Sequence, residues 1–436
     1  MVVVMSNPRY LATKLLCKTF SGGSFSNIQL NSGLKNSDLD ERDKKLCSII
    51  YYGVIERKIY LDYIISKFSS RPIEKLDDTV LNILRCGFYQ ILFMDTIPDN
   101  ASVNESVSLA KKFGKTSASG MINAILRNFI RQGKTIELPA EKLERLSVEY
   151  SVSKEFVKSL IDDYGEDLAK NLLSDALNSP PVTVRINPLK CTEKQFSEIF
   201  GDKATKCDLL PNCFELSGDV TSSEAFKNGF FHVQDLASQL CCMALAPTEN
   251  DVVLDICSAP GGKTFTMSEL MNGKGKIMAF DLHEKRVKLV RDGAERLGLS
   301  NITVSVGDAT KFNPELPKFT KILCDVPCSG LGAIRRKPEI KYKNFNDFSG
   351  LPEIQYKIAE NALKYLATGG EMVYSTCTLR KAENIEIVKK LLAEHSEIEP
   401  VILPEPLGKR FGSSADIFPC HFGSDGFFIS KFRKVR

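Results

Sequence analysis

No apolar run in this sequence approaches the roughly 18 residues needed to span a bilayer, and its apolar start, Met1-Val2-Val3-Val4-Met5, is far too short for the core of a secretory leader. A membrane role is therefore not expected. Histidine is scarce: His232, His283, His395 and His421 are the only four, and they stand far apart. Zinc sites usually need cysteines about two to four residues apart, with a second pair or histidines nearby. Cys324 and Cys328 have neither, so no metal is expected. An excess of charge of one sign is also missing. The 58 Lys and Arg against 54 Asp and Glu leave +4, a balance that permits nucleic-acid binding but does not imply it.

What is present is ordinary for a globular chain: 436 residues, 43% hydrophobic and 26% charged, enough for about two or three domains with cores of their own. The 13 cysteines are odd in number and scattered. That argues against a disulfide scaffold and for a reducing, cytoplasmic setting. Cys241-Cys242 reads as buried packing at a helix start.

The chain changes rhythm twice. From Arg9 to about Arg131, apolar residues recur at helical spacing, as in Leu81, Ile83, Leu84, Phe88, Ile91 and Leu92. Breaks fall at Ser21-Gly22-Gly23-Ser24, Arg71-Pro72 and Ile97-Pro98. Lys111, Lys112, Lys115, Arg127 and Arg131 form either a phosphate-binding face or a plain solvated one. After a linker near Gly133, two helical stretches precede Val182-Thr183-Val184-Arg185-Ile186, a strand bounded by prolines whose valines and isoleucine share one face. From Asn250 strands alternate with helices: Val252 to Ile256, Ile277 to Phe280, Ile302 to Val306, Ile322 to Cys324 and Glu371 to Tyr374. This pattern predicts a doubly wound parallel sheet, with Gly426 to Phe432 as an added edge strand.

Candidate chemistry sits at the ends of these strands. Asp325-Val326-Pro327-Cys328 and Ser375-Thr376-Cys377-Thr378 each offer a cysteine at a strand tip, so two thiols can face one pocket. Two thiols suit methylation of cytosine C5, a poor nucleophile until a thiolate adds at C6; a base must later remove the C5 proton. A free thiol is mostly protonated at neutral pH; Arg335, Arg336, Lys337 and Lys381 are candidate activating cations, and equally candidate phosphate contacts. The turn from Asp255 through Cys257-Ser258-Ala259-Pro260-Gly261-Gly262-Lys263 matches neither a Walker A loop nor Gly-x-Gly-x-x-Gly, yet its paired glycines let backbone N–H groups approach a ligand. Asp281 closes the next strand, placed for two ribose hydroxyls. Asp308 follows the third, placed for an adenine amino group. Together these describe an adenosine-shaped site.

In order, Asp255 to Thr264, Phe280-Asp281-Leu282, Gly307-Asp308-Ala309, Asp325 to Gly332 and Tyr374 to Thr378 closely resemble the motifs of the RNA cytosine-5 methyltransferases that use S-adenosyl-L-methionine. With its helical start, the chain is similar to the 16S ribosomal RNA branch, whose N-terminal domain is similar to the antitermination factor NusB. Val233-Gln234-Asp235 fits the segment entering the catalytic domain. The resemblance covers nearly the whole chain.

The resemblance implies a multidomain protein. Its parts are a NusB-like all-α RNA-binding bundle over 1–135, a small α+β module over 136–235, and an α/β Rossmann-like class I methyltransferase domain over 236–436. Cys257, Ser258, Ala259, Pro260, Gly261, Gly262, Lys263, Asp281, Asp308 and Asp325 would surround S-adenosyl-L-methionine. Cys377 would be the nucleophile, Cys328 would help resolve the adduct, and Asp325 would hydrogen-bond the base near N3. DNA enzymes of this chemistry use the Pro-Cys thiol instead, so it is family likeness that selects Cys377. The partner would be 16S rRNA with an unpaired or flipped cytosine, met by a monomer in the cytoplasm.

One departure stands out: the family's Pro-x-Trp is represented by Lys154-Glu155-Phe156, and the chain has no Trp. That position packs or guides RNA and leaves the chemistry untouched. Competing readings are a tRNA substrate, a NusB-like assembly factor that has lost activity, and a nicotinamide oxidoreductase. The last shares Asp281 but explains neither thiol.

Overall fold

The structure is a computed structural model that describes residues 7–22 and 26–436. The chain forms two compact units, Met1–Leu177 with Arg336–Lys343, and Asn178–Arg335 with Asn344–Arg436. The α+β stretch expected over 136–235 is divided by this partition: its helices up to Asp175 fall in the first unit, and its strands, with helices Glu193–Phe200 and Glu224–Lys227, in the second. Among the described residues no helix is long and apolar enough to cross a membrane.

The first unit is helical. Proline and acidic caps set its boundaries: Asp40 accepts from Asp43 N ahead of Glu41–Glu56, and Asp77 accepts from Thr79 and Val80 N ahead of Asp78–Phe93. Helix Asp78–Phe93 is the axis of the bundle. Val80, Ile83, Leu84, Cys86 and Phe88 are all buried against residues from Pro8–Gly22, Glu41–Glu56, Lys58–Phe68, Asp99–Lys112 and Ser119–Arg131. Lys111, Lys112, Arg127 and Arg131 are exposed, while Lys115 is ion-paired with Asp77 at 2.6 Å. In helix Lys154–Tyr164, Phe156 is buried, so the residue at the missing tryptophan's place packs in the core.

Arg336–Lys343, expected with the catalytic part, is built into this first unit. Glu339 accepts from Ser26 N (3.2 Å) and Oγ (2.8 Å). Tyr342 Oη accepts from Lys58 N (3.2 Å) and lies 2.6 Å from the carbonyl of Ile55. Lys341 Nζ, fully buried, donates to Ala176 O at 2.9 Å.

The second unit holds two sheets. The smaller is antiparallel and comprises β1 (Val182–Ile186), β2 (Ala204–Lys206), β3 (Cys213–Leu216) and β4 (Phe231–Val233), in the order β2-β3-β1-β4. Val184 and Ile186 join an apolar cluster with Phe196, Phe214 and Phe231 on one face. The opposite face of β1 is covered as well: Arg185 Nε donates to Glu269 Oε2 at 2.8 Å and Asn187 Nδ2 to Leu297 O at 2.9 Å. A fully buried arginine needs such a partner.

The larger sheet comprises β5 (Val252–Asp255), β6 (Lys276–Asp281), β7 (Ile302–Val306), β8 (Phe319–Asp325), β9 (Leu366–Thr376), β10 (Ile398–Pro400), β11 (Ser414–Ile417) and β12 (Phe427–Lys434). The order is β10-β12-β9-β8-β5-β6-β7, with β11 also on β12. Strands β5 to β9 are parallel, as the strand–helix alternation predicts. The expected edge strand is corrected: β12 runs antiparallel inside the sheet, between β9 and β10, and Phe427 to Phe432 are all buried. From β5 the chain winds outward through β6 and β7, then returns to place β8 on the other side of β5. The carboxyl ends of β5 and β8 thus flank the switch point where such sheets bind ligands.

Candidate active site

Each strand tip around the switch point presents an acidic side chain. Asp255 ends β5 and is buried; Thr264 Oγ1 donates to its Oδ2 at 2.7 Å, and Oδ1 has no partner among the described residues. Burial pushes its carboxyl up to about 7 against the Thr264 hydrogen bond, with the charge of Asp325 adding to the rise. Sequence reasoning quoted Asp255 only as the start of a motif. Its place as the last strand residue before the loop was the available signal.

The loop after Asp255 is tied to the neighbouring strand. Ser258 donates from N (2.7 Å) and Oγ (3.0 Å) to Phe280 O, and Ala259 N donates to Asp281 Oδ2 at 3.3 Å. Gly261 then opens helix Gly262–Leu270 at φ +112, where a Cβ would lie 2.4 Å from the Phe265 ring. Only glycine fits that turn. Asp281, buried at the end of β6, also accepts from His283 N at 3.3 Å and pairs with Arg286 at 3.2 Å. Between the tips of β5, β6 and β7 lies a cavity of about 220 Å³ lined by Ile256, Phe280, Val306, Asp308, Ala309 and Phe312, among others. Asp308 accepts from Thr310 Oγ1 at 2.6 Å and its N at 3.1 Å, bonds that hold its carboxyl below the usual range.

Lys263 reaches from the helix to the tip of β8, where its Nζ lies 2.8 Å from Asp325 Oδ2 and 5.1 Å from the centre of the Phe427 ring. Ser375 Oγ donates to the other oxygen, Oδ1, at 2.8 Å. Burial opposes the ammonium charge, but the Asp325 carboxylate outweighs it and holds the proton on Lys263.

Beyond Asp325 the two cysteine loops meet, and the Sγ atoms of Cys328 and Cys377 are 3.3 Å apart. The hydrogen bond to Cys377, burial, and the nearby Glu383 and Asp325 charges all raise Cys328, which therefore keeps its proton. Arg335, one of the four candidate cations and equally a candidate phosphate contact, is held by the backbone at Gly423 and Ser424. Its guanidinium donates to the carbonyls of Gly423 (3.0 Å) and Ser424 and faces Asp425 at 3.6 Å. Arg336 and Lys337 belong to the segment built into the first unit. Glu383, Asn384 and Gln355, which hold the cysteine loops, escaped sequence reasoning because no local pattern marks them. Cys241 and Cys242 are buried in helix Leu236–Leu245, as packing residues.

A parallel sheet with Asp255, Asp281, Asp308 and Asp325 at its strand tips, a cavity beside Asp308 and paired thiols beyond Asp325 defines a Rossmann-like methyltransferase fold. Residues 242–433 match the family model described as 16S rRNA methyltransferase RsmB/F, and residues 6–131 match the NusB family. The chain is 35% identical to the probable ribosomal RNA small subunit methyltransferase B of Bacillus subtilis, over 98% of each chain. It is 30% identical to the ribosomal RNA small subunit methyltransferase B of Pseudomonas syringae pv. tomato, covering 98% of this chain and 97% of that one. It therefore belongs to the ribosomal RNA small subunit methyltransferase B family, with a NusB-like domain ahead of the methyltransferase domain.

Among solved structures, that of PH0851 superposes with a TM-score of 0.83 at 22% identity, over 98% of this chain and 99% of that one. NSun6 from Pyrococcus horikoshii with SFG gives 0.60 at 22% identity, over 65% and 98%. Both show the shared fold. The family implies S-adenosyl-L-methionine as methyl donor, and the residues present fit it. The cavity between the strand tips has the size and apolar walls for a purine, and Asp255 Oδ1 is a buried acceptor without a partner.

Proposed function

We propose that this protein transfers a methyl group to C5 of one cytosine in 16S ribosomal RNA through a transient bond between Cys377 and C6, acting as a monomer in the cytoplasm. The observation that carries the reading is the 3.3 Å approach of the Cys328 and Cys377 sulfurs beside the Lys263–Asp325 pair. Cys257 to Lys263 and Asp325 hold the donor with Asp281 and Asp308, Asp281 taking the ribose hydroxyls and Asp308 the adenine amino group. Asp255 joins them through its free oxygen. When bound, S-adenosyl-L-methionine supplies an electrophilic methyl group on a sulfonium.

Cys377 attacks C6 as a thiolate, which makes C5 electron-rich enough to accept the methyl group. The hydrogen bond from the protonated Cys328 favours that thiolate. Asp325 hydrogen-bonds the base at its N3 edge, and the Lys263 ammonium offsets the negative charge that collects there. To finish, a base takes the C5 proton, the C5–C6 double bond re-forms and the C6–S bond breaks. Cys328 steadies the departing Cys377 sulfur. Because the ring must reach a pocket at the sheet's edge, the target cytosine is unpaired or flipped out.

Bisulfite mapping of 16S rRNA from cells lacking the protein tests this. One cytosine is expected to lose its mark. An unchanged 16S map overturns the assignment and turns the search to tRNA.

A further inference from the structure

The four residues flanking the two cysteines are each held by a side chain from elsewhere in the second unit. Pro327 O accepts from Gln355 Nε2 at 3.0 Å, and Ser329 N donates to Glu383 Oε2 at 2.9 Å. On the other loop, Thr376 Oγ1 donates to Asn384 Oδ1 at 2.6 Å, and Thr378 O accepts from Asn384 Nδ2 at 3.0 Å. The loops are also tied directly, Ser329 Oγ lying 2.6 Å from Thr378 Oγ1. Gln355, Glu383 and Asn384 are all buried, so water does not loosen these bonds.

Glu383 is the hub. Its Oε2 accepts from both Ser329 N and Gln355 Nε2 (2.9 Å each), its Oε1 pairs with Arg380 at 3.0 Å, and its carbonyl accepts from Tyr374 Oη at 2.7 Å. Arg380 in turn lies over the Phe345 ring at 5.4 Å. Tyr374 belongs to β9, three residues before Cys377, and Gln355 to helix Leu351–Tyr365. One residue thereby ties the Cys328 loop, through its carboxylate, to β9, through its carbonyl, just ahead of Cys377. A network of this kind, with its hub fully satisfied, rigidifies what it holds.

We propose that Glu383, seconded by Gln355 and Asn384, is a positioning residue that sets the separation of the Cys328 and Cys377 thiols. It acts through the backbone at Ser329. Its catalytic consequence rests on the reading given under Proposed function, whereas the thiol geometry does not. Its charge also faces Cys328 and helps keep that thiol protonated.

The test uses the full chain and two variants, Glu383→Gln, which keeps an acceptor for Ser329 N but loses the charge, and Gln355→Leu, which removes the donor that joins Glu383 Oε2 to Pro327 O. Diamide converts the two thiols to a disulfide, the two protons and two electrons passing to diamide to give the hydrazine. The rate at which the Cys328–Cys377 peptide pair appears by mass spectrometry reads the alignment of the sulfurs. Both variants are expected to cross-link about tenfold more slowly than the parent. In Glu383→Gln the pH midpoint for alkylation of Cys328 is expected to fall, while kcat for methyl transfer drops about 10- to 100-fold with donor affinity unchanged.

Unchanged cross-linking in both variants overturns the proposal, whatever methylation does. If Glu383→Gln fails to fold, Gln355→Leu decides by the same measurement. A parent protein that methylates no cytosine sinks the functional reading alone, because the cross-linking rates still decide the role of Glu383.

Discussion

The sulfurs of Cys328 and Cys377 lie 3.3 Å apart although 49 residues separate them in sequence. The contact follows from strand order: β8 and β9 are parallel neighbours, Asp325 stands opposite Ser375, and each chain leaves its strand toward the same side. The contact with Cys377, burial and the Glu383 and Asp325 charges raise Cys328, and in the proposed reaction Cys377 is the sulfur that becomes the thiolate. Cys377→Ala is expected to abolish methyl transfer. Cys328→Ala is expected to leave protein linked to RNA, seen as a slow band on a denaturing gel. The opposite pattern would exchange the two roles.

Asp281 joins the loop after β5 to the end of its own strand, accepting from Ala259 N and His283 N at 3.3 Å each. Asp281→Asn preserves its size and an acceptor oxygen but removes the charge. Titration calorimetry with S-adenosyl-L-methionine should show Kd raised about tenfold or more, the scale of ~1.5–3 kcal/mol for hydrogen bonds to a charged group. An unchanged Kd would place the ribose elsewhere.

The parallel core was legible because its strands are short apolar runs separated by amphipathic helices, and the cysteine and aspartate tips because they close those runs. The failures have a common cause in distant partners. Gly426 to Phe432 reads as an edge strand, yet β12 lies inside the sheet, where Lys431 is buried with Glu371 2.9 Å from its ammonium. The basic run at Arg335 to Lys337 looked like a set of cations for the thiols. Arg335 is consumed by the carbonyls of Gly423 and Ser424, and the residues after it follow Glu339 and Tyr342, whose partners Ser26 and Ile55 lie roughly 300 positions away, beyond any local pattern. The buried polar group around Glu383 has no periodic signature at all.

Glu371 on β9 faces Lys321 of β8 at 2.6 Å and Lys431 and Arg433 of β12 at 2.9 and 3.0 Å. Burial works against its charge, but hydrogen bonds from the three cations prevail and bring its carboxyl down to about 2. The folded value lies below the unfolded one of about 4.3, so the stabilisation is full above that pH and lost as pH falls toward 2. Glu371→Gln should cost about 3 kcal/mol in urea unfolding at pH 7. The deficit should narrow as pH falls through 3; a deficit that is the same at both pH values would show that the carboxylate charge is not what matters.

Asp255 has the opposite sign. Its carboxyl, raised to about 7 by burial, keeps a proton in the folded chain that the unfolded chain releases near pH 4. Between these values the folded state binds more protons, so this group makes stability decline as pH rises from about 4 to 7, with no further change above. Asp255→Asn cannot titrate, yet its amide oxygen still accepts the Thr264 hydroxyl that now meets Oδ2 at 2.7 Å. The variant should therefore gain on the parent steadily from pH 5 to pH 7.5 in melting temperature measured without methyl donor. A gap that stays constant over that range would mean that Asp255 is already ionised at pH 5 and that burial does not govern it.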